Sequence, residues 1–260
     1  MVRGRYRDGV VALMTVLLCI GGLLIAGALV FLMVRFAGQW ALLTLRRHPP
    51  TPIGSWRGGA RVAVEAYTEY GPAGRQIAPA TGEDCAWYHV RLIREPTRRL
   101  LVGDGEAEYD ELLDLASPAW PAIADPTGRI EVDPRMLDLT PREEPVATES
   151  VRLVHRAAES VALPPIVPGE VIDDLRGGER LVLTEVRLPH GRRIFALGRP
   201  SRGALVPSHG SLSIFTSDDY EKILAERSAG VRVFLRAALA MLAVGAALAG
   251  GSAAALAALL

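Results

Sequence analysis

The chain has 260 residues, 29 basic and 29 acidic side chains and no net formal charge. This balance gives no strong overall electrostatic bias toward nucleic acid, whose binding proteins carry a basic surplus, or toward acidic lipid. Every basic residue except Lys222 is arginine, which we interpret as a genomic, bacterial-type compositional bias. The two cysteines, Cys19 and Cys85, lie far apart in sequence, so no disulfide framework is expected.

Two runs without charged residues bracket the chain, Gly9–Val34 and Ala237–Leu260. A helix needs roughly 20 apolar residues to cross ~30 Å of hydrocarbon, so each run predicts a transmembrane helix. Arg3, Arg5 and Arg7 before the first run would also suit a secretory signal. The run is much longer than the about 7–15 apolar residues of such a signal, so we interpret it as a retained helix.

The basic residues beside the two spans predict on which side of the membrane the segment between them, here called the body, lies. The first span has equal numbers of basic residues on its two sides. The second has basic residues only on its body side: Lys222, Arg227, Arg232 and Arg236. The positive-inside bias therefore predicts an integral protein of the cell membrane with a cytoplasmic body, although a long loop can translocate regardless of charge. We expect no further domain after Leu260.

The predicted organisation has five parts. They are an N-terminal tail (1–8), a transmembrane helix (9–36), a juxtamembrane linker (37–55), a β-rich domain (56–230) and a second transmembrane helix (231–260). Pro49, Pro50 and Pro52 indicate a stiff linker, since proline fixes φ and blocks a helix.

Alternation of apolar and polar residues predicts strands in the body. The predicted strands are Arg61–Tyr67, Ala86–Arg94, Ala119–Ala124, Arg129–Val132, Arg180–Leu188 and Arg192–Gly198. In the second of these, Val90 and Leu92 are expected to face the core. Asp125-Pro-Thr-Gly128 suits a type I turn between two of the strands.

Three segments predict helices or exposed chain. Gly105–Ala116 is rich in acidic residues and predicts a short helix or a solvated excursion, and Ser150–Glu159 predicts a short helix. Thr216 with Asp219 fits a capping box that opens a helix running toward the second span. The expected fold is thus mainly β, an α+β domain flanked by two transmembrane helices.

Four stretches of the body, taken in order, resemble a known family signature. They contain Pro79, Gly82, Cys85 and Tyr88; then Asp125 and Gly128; then Glu185, Gly191 and Gly198; and finally Ser211–Phe215. The pattern is similar to the GIDE, or "beside a membrane", domain of MULAN/MAPL-type membrane E3 ubiquitin ligases. The resemblance covers about residues 55–230 and implies that the nine named positions are structural, with no catalytic or cofactor-binding role.

The ligase activity of that family comes from a RING, which needs eight Cys or His ligands for two zinc ions. This chain has two cysteines and five histidines and no C-x-x-C pair. By ligand count we expect no RING, no metal and no cofactor.

Other candidate chemistry is weaker. Cys85 is expected to pack as a small apolar residue, because Glu83 and Asp84 discourage its thiolate. A hydrolase set of Ser208 or Ser213 with His89 and Asp84 lacks the G-x-S-x-G elbow that would support it.

Glu185 is expected on an exposed strand face. If it is buried instead, it needs a partner such as an arginine. Arg187 lies two residues away in the sequence.

The leading hypothesis is therefore a non-enzymatic, membrane-adjacent interaction or scaffold module. Its expected partners are the lipid bilayer and an unidentified protein, with no nucleic acid. The alternatives are a ubiquitin-transferase-like protein and, third, a membrane hydrolase using Ser213 or Cys85. Gly245, Gly250 and Gly251 would permit homo-oligomerisation through the second span, although compositional bias explains them equally well.

Overall fold

The computed structural model describes residues 2–57, 59–96, 110–138, 147–156, 162–208, 210 and 212–259. The chain divides into a helical unit, Met1–Arg47 with Glu221–Leu260, and a β-rich unit, His48–Tyr220. The helices are α1 (Val2–Arg47), α2 (Arg135–Asp138), α3 (Gly169–Asp173) and α4 (Tyr220–Leu259), with one 3₁₀ turn at Ile53–Ser55. The strands are β1 (Val62–Glu69), β2 (Gln76–Ile77), β3 (Asp84–Cys85), β4 (Trp87–Pro96), β5 (Asp110–Ala116), β6 (Ala122–Asp125), β7 (Gly128–Val132), β8 (Glu149–Arg156), β9 (Glu179–Leu188), β10 (Arg193–Ser201), β11 (Ala204–Val206) and β12 (Ile214–Thr216).

The helical unit consists of two helices that are each long and apolar enough to cross a membrane. In the most apolar window of each helix only 11 % of the residues are buried, so most side chains face outward. Leu23 and Met33 of α1, for example, are each 74 % exposed. A helix in the core of a soluble domain would instead bury most of this surface.

The first helix continues past residue 36, where the predicted linker begins, and ends only at Arg47. Residues 37–47 of that linker are therefore helical, which corrects the prediction. The physical reason is that no helix-breaking residue occurs until Pro49 and Pro50.

The two long helices pack against each other in antiparallel fashion through small residues. A Cβ on Gly21 would lie 2.7 Å from the Ala249 nitrogen and 2.8 Å from the Gly245 oxygen. Farther along the pair, the rings of Phe31 and Phe234 lie 5.8 Å apart between centroids. Only a residue without a side chain permits the close backbone approach at Gly21.

Five strands of the β-rich unit form a closed ring. The order is β1-β6-β7-β11-β10, and β10 pairs back with β1. All these pairs are antiparallel except β7 with β11, and β12 adds to the free part of the β10 edge. The ring strands contribute to one core cluster that includes Val64, Ile123 and Ile194. Closure removes the exposed strand edges that a small open sheet would leave.

A separate antiparallel sheet, in the order β5-β4-β9-β8, is formed by segments inserted between the ring strands. Val90 and Leu92 of β4 pack there with Leu181 and Leu183 of β9 and with Val167. The inward orientation predicted for Val90 and Leu92 is confirmed, since both side chains are fully buried.

The structure places a strand in each of the six segments predicted as strands, although β6 begins only at Ala122, and it contradicts the predictions for two other segments. The segment predicted as a helix at 150–159 is strand β8 as far as Arg156, and its remainder lies outside the described residues. The segment at 105–116 is not a helix where it is described, because 110–116 forms β5, an edge strand most of whose residues are exposed to solvent. Both segments are strands because β4 and β9, distant in sequence, offer edges to pair with.

The predicted capping box is also wrong. Thr216 is a fully buried residue of β12, and its hydroxyl accepts a hydrogen bond from the Asp218 nitrogen. The helix begins at Tyr220, whose backbone N–H donates to Glu65 of β1 at 3.1 Å. A carboxylate from the neighbouring strand thus caps α4.

Candidate functional site

A buried carboxylate holds the loop that joins β2 to β3. Glu185 of β9 is only 1 % exposed. One of its oxygens accepts the Ala80 N–H at 2.6 Å, and the other accepts the Thr81 hydroxyl at 2.6 Å and the Thr81 N–H at 3.2 Å. Three donors replace the water that the carboxylate loses on burial. The prediction of an exposed Glu185 is therefore wrong, and its partners are a backbone and a hydroxyl instead of an arginine.

The same loop is shaped by its own backbone. Ala78 donates to the Glu83 oxygen and accepts from the Gly82 N–H, at 2.9 and 2.8 Å. Gly82 has φ +73°, a left-handed conformation that favours glycine. Pro79 immediately precedes the two backbone N–H groups that Glu185 accepts. Pro79, Gly82 and Glu185 thus belong to one structural assembly.

Cys85 ends this loop as a fully buried residue of β3. Its thiol lies 3.8 Å from the Gln76 carbonyl oxygen. Burial, with the nearby carboxylates of Glu185 and Asp84, raises the pKa of Cys85 to about 11. A protonated, inaccessible thiol is a packing residue and a poor nucleophile.

A chain of ion pairs extends from the loop across the sheet. Arg187, whose side chain is largely buried, pairs with Glu83 of the loop and with Glu149 of β8, the latter at 2.7 Å. Glu149 also accepts from Arg192 at 3.0 Å. Burial opposes the charge on Arg187, but the bonds to Glu149 and Glu83 prevail and raise its pKa. These charges fasten the loop to β8 and β9.

The β6–β7 turn holds the segment that precedes the β-rich unit's first strand. Asp125 accepts hydrogen bonds from the Ile53 N–H at 2.7 Å, the Thr127 N–H at 2.7 Å and the Gly128 N–H at 2.9 Å. The Thr127 hydroxyl accepts from Gly54 at 2.9 Å. Burial favours the neutral acid, but these bonds prevail and hold the pKa of Asp125 below its usual value. A Cβ on Gly128 would lie 3.1 Å from the Ile53 side chain.

The remaining resemblance positions have local backbone roles. Tyr88 donates its N–H to the Ser117 hydroxyl at 2.8 Å. Gly191 has φ +72° in the β9–β10 turn and donates to the Thr68 oxygen. A Cβ on Gly198 would lie 2.9 Å from the Val206 oxygen, where β10 begins to pair with β11. These glycines permit a tight turn and a close strand approach.

One exposed cluster was not predicted from the sequence. The rings of Tyr70 and His190 stack at 4.0 Å with an interplanar angle of 6°. The His190 Nε2 lies 3.3 Å from Glu69, and the Tyr70 hydroxyl donates to Asp84 at 3.0 Å. Burial and the Asp84 carboxylate raise the pKa of Tyr70. The residues come from distant segments, and therefore no local spacing revealed the cluster.

The hydrolase candidates have separate partners. His89 pairs with Asp114 of β5 at 2.5 Å, and the Ser213 hydroxyl accepts from the Ser208 N–H at 2.9 Å. Asp84 instead contacts Tyr70 and Arg75. Nothing in these contacts unites a nucleophile, a base and an orienting acid.

Among the described residues, no three His, Cys, Asp or Glu side chains are grouped closely enough to hold a metal ion. His209, one of the five histidines, lies outside the described residues.

No family model, no curated protein and no solved structure matches the chain. The GIDE-type resemblance therefore stays a hypothesis based on the residues quoted above. The positions that the resemblance singles out have roles within the fold, in the loop held by Glu185, in turns and at a close strand contact.

Proposed function

We propose that this chain is an integral membrane protein with two spans, whose β-rich unit acts as a membrane-adjacent interaction module of the GIDE type. The observation that carries the proposal is the position of the two apolar helices. Each end of the β-rich unit continues directly into a helix long and apolar enough to cross a bilayer. Attachment at both ends keeps such a domain near the membrane surface and raises its effective concentration toward partners there.

The interior of the β-rich unit favours a binding role over catalysis. Glu185 and Asp125 have their oxygens occupied by backbone and hydroxyl donors, and Cys85 is protonated and inaccessible. On the surface, Trp120 and Ile77 are exposed apolar side chains. Tryptophan is among the residues that most often anchor a protein partner.

Membrane integration and sidedness can be tested together. Carbonate washing should leave the full chain in the membrane fraction, since two spans resist extraction. A Ser201→Cys variant lacking Cys19 and Cys85 should react with an impermeant maleimide only after the cytoplasmic face is opened. The same variant in dissolved membranes is the labelling control. Extraction into the aqueous phase would refute the membrane assignment, and labelling of intact cells would refute the cytoplasmic body.

The interaction role needs a different comparison. A chimera would keep both helices and carry an unrelated soluble domain of similar size between them. Proteins cross-linked to the native chain in intact membranes should be lost from the chimera, and Trp120→Ala should weaken at least one of them. The same cross-linked proteins in native chain and chimera would show that the β-rich unit selects no partner.

The transferase and hydrolase alternatives have less support. A transferase-like role would require clustered zinc ligands. Among the described residues, no three His, Cys, Asp or Glu side chains lie close enough to hold a metal ion. Stoichiometric zinc in the purified protein would favour that role. Labelling of Ser213 or Cys85 by an activity-based probe would favour a hydrolase.

A further inference from the structure

The two long helices enclose a cleft near the ends that adjoin the β-rich unit in sequence. Its volume is about 410 Å³. The lining residues are Val34, Arg35, Ala37, Gly38, Ala41, Arg227, Gly230, Val231 and Phe234. Two arginines, one from each helix, therefore face a cleft whose lining contains no acidic side chain.

Arg35 is the first charged residue after the apolar run Gly9–Val34. Its Nε atom is buried and has no hydrogen-bond partner among the described residues. A buried guanidinium donor without an acceptor is costly, so the position favours an anionic ligand. Arg227 enters the same cleft from α4 and adds a second positive charge.

The rest of the lining is apolar or small. Val34, Val231 and Phe234 provide an apolar wall beside the arginines. Gly230 has open space at its Cβ position, and a Cβ on Gly38 would lie only 3.3 Å from Val231. The two glycines therefore keep the cleft open. A ligand that combines an anionic group with a hydrocarbon chain would match both parts of this lining.

We propose that the cleft binds an anionic glycerophospholipid, with Arg35 and Arg227 donating to its phosphate and an acyl chain lying against Val34 and Phe234. Arginine suits this role because its planar fork can donate two hydrogen bonds to one phosphate. Basic pockets between membrane helices are a known setting for such head groups. The inference rests on the proposed function, which places α1 and α4 in a bilayer.

The test compares lipid retention by the full chain, purified in mild detergent, using native mass spectrometry. The probes are phosphatidylglycerol and phosphatidylcholine at equal concentrations. The test variant combines Arg35→Gln with Arg227→Gln. The matched control combines Arg232→Gln with Arg236→Gln, which removes the same charge from exposed positions of α4 outside the cleft.

We expect the native chain to retain phosphatidylglycerol in preference to phosphatidylcholine. The cleft variant should bind phosphatidylglycerol about tenfold more weakly, since it loses charge-assisted hydrogen bonds, while the control changes about twofold or less. If both variants lost phosphatidylglycerol binding equally, the lipid would be attracted to positive charge in general, and the proposed site would be overturned. Equal retention of the two lipids by the native chain would also overturn it.

Two further measurements separate the sources of failure. Inorganic phosphate that displaces phosphatidylglycerol at equal concentration would show a phosphate site and overturn the lipid assignment. Helix content of the cleft variant, measured by circular dichroism, should equal that of the native chain. If the chain stays in carbonate-washed membranes but shows no lipid preference, only this inference fails; if it is extracted, the proposed function fails first.

Discussion

The carboxylate of Glu185 lies on the same face of β9 as Leu181 and Leu183, which are both buried. A carboxylate can remain there because the Ala80 and Thr81 donors surround it. The residue therefore gains its structural role from a loop about 100 positions earlier, as the sequence separations of 105 and 104 show. Removing the acceptor would leave three partly buried donors without this partner.

Glu185→Gln should destabilise the β-rich unit by about 2 kcal/mol, because the amide presents a donor where the carboxylate presents an acceptor. The measurement is urea unfolding of the detergent-solubilised chain, followed by tryptophan fluorescence. Glu170→Gln, at an exposed position of α3, is the control and should leave the unfolding midpoint unchanged. Equal midpoints for native chain and Glu185→Gln would show that the loop clamp contributes nothing.

The hydrogen bonds of Asp125 predict that the unfolding free energy of the β-rich unit depends on pH in the acid range. Its folded pKa lies below the usual value near 3.8, so its stabilising contribution is complete above that pH and is lost as the pH falls through the folded pKa. Asp125→Asn should cost about 2 kcal/mol at pH 7, and its unfolding free energy should fall less steeply below pH ~4 than that of the native chain. Exposed Asp173→Asn should keep the native profile. Parallel acid profiles for all three proteins would contradict the assignment.

Among the helices, Gly245 of α4 packs against α1 of the same chain. A Cβ on it would lie 2.9 Å from the Gly21 oxygen and 3.0 Å from Ile25, whereas Gly250 and Gly251 have open space. Of the three glycines that would permit homo-oligomerisation, Gly245 thus packs the two helices of a single chain together. Oligomerisation through the other two stays a prediction.

Gly245→Leu should separate α1 from α4 and destabilise the helix pair by about 2 kcal/mol, since the added side chain meets backbone atoms. Gly251→Leu is the matched control, because the same side chain enters open space. The measurement is the thermal unfolding of helix content in detergent. The packing would be refuted if the two variants unfolded at the same temperature.

Strands with clear alternation were predictable from the sequence, and strands stabilised mainly by distant partners were not. In β4, Val90 and Leu92 alternate with His89 and Arg91, and this pattern was sufficient to predict the strand. Strand β5 has an acidic sequence, and in the fold Glu111 and Asp110 form ion pairs with Arg91 and Arg94 of the neighbouring β4. The sequence of β5 by itself does not indicate such cross-strand ion pairs.

At the scale of the whole molecule, the apolar ends were evident from composition, but the closed ring was not. Its closure requires β1 to pair with β10, in register from Val62 with Gly198 to Tyr67 with Arg193. No local pattern encodes a contact over that separation. For the same reason, sequence spacing alone did not reveal the clamp on the Pro79–Gly82 loop or the Tyr70–His190 stack.

The late position of β10 also has a consequence for biosynthesis. Strand β1 emerges from the ribosome early but lacks one neighbour until residues 193–201 have been translated. Throughout that interval its unpaired edge is open to self-association, a hazard that nascent chains with non-local pairing share. A chain truncated just before residue 193 would therefore be aggregation-prone, whereas one extending through residue 206 would contain every strand of the ring.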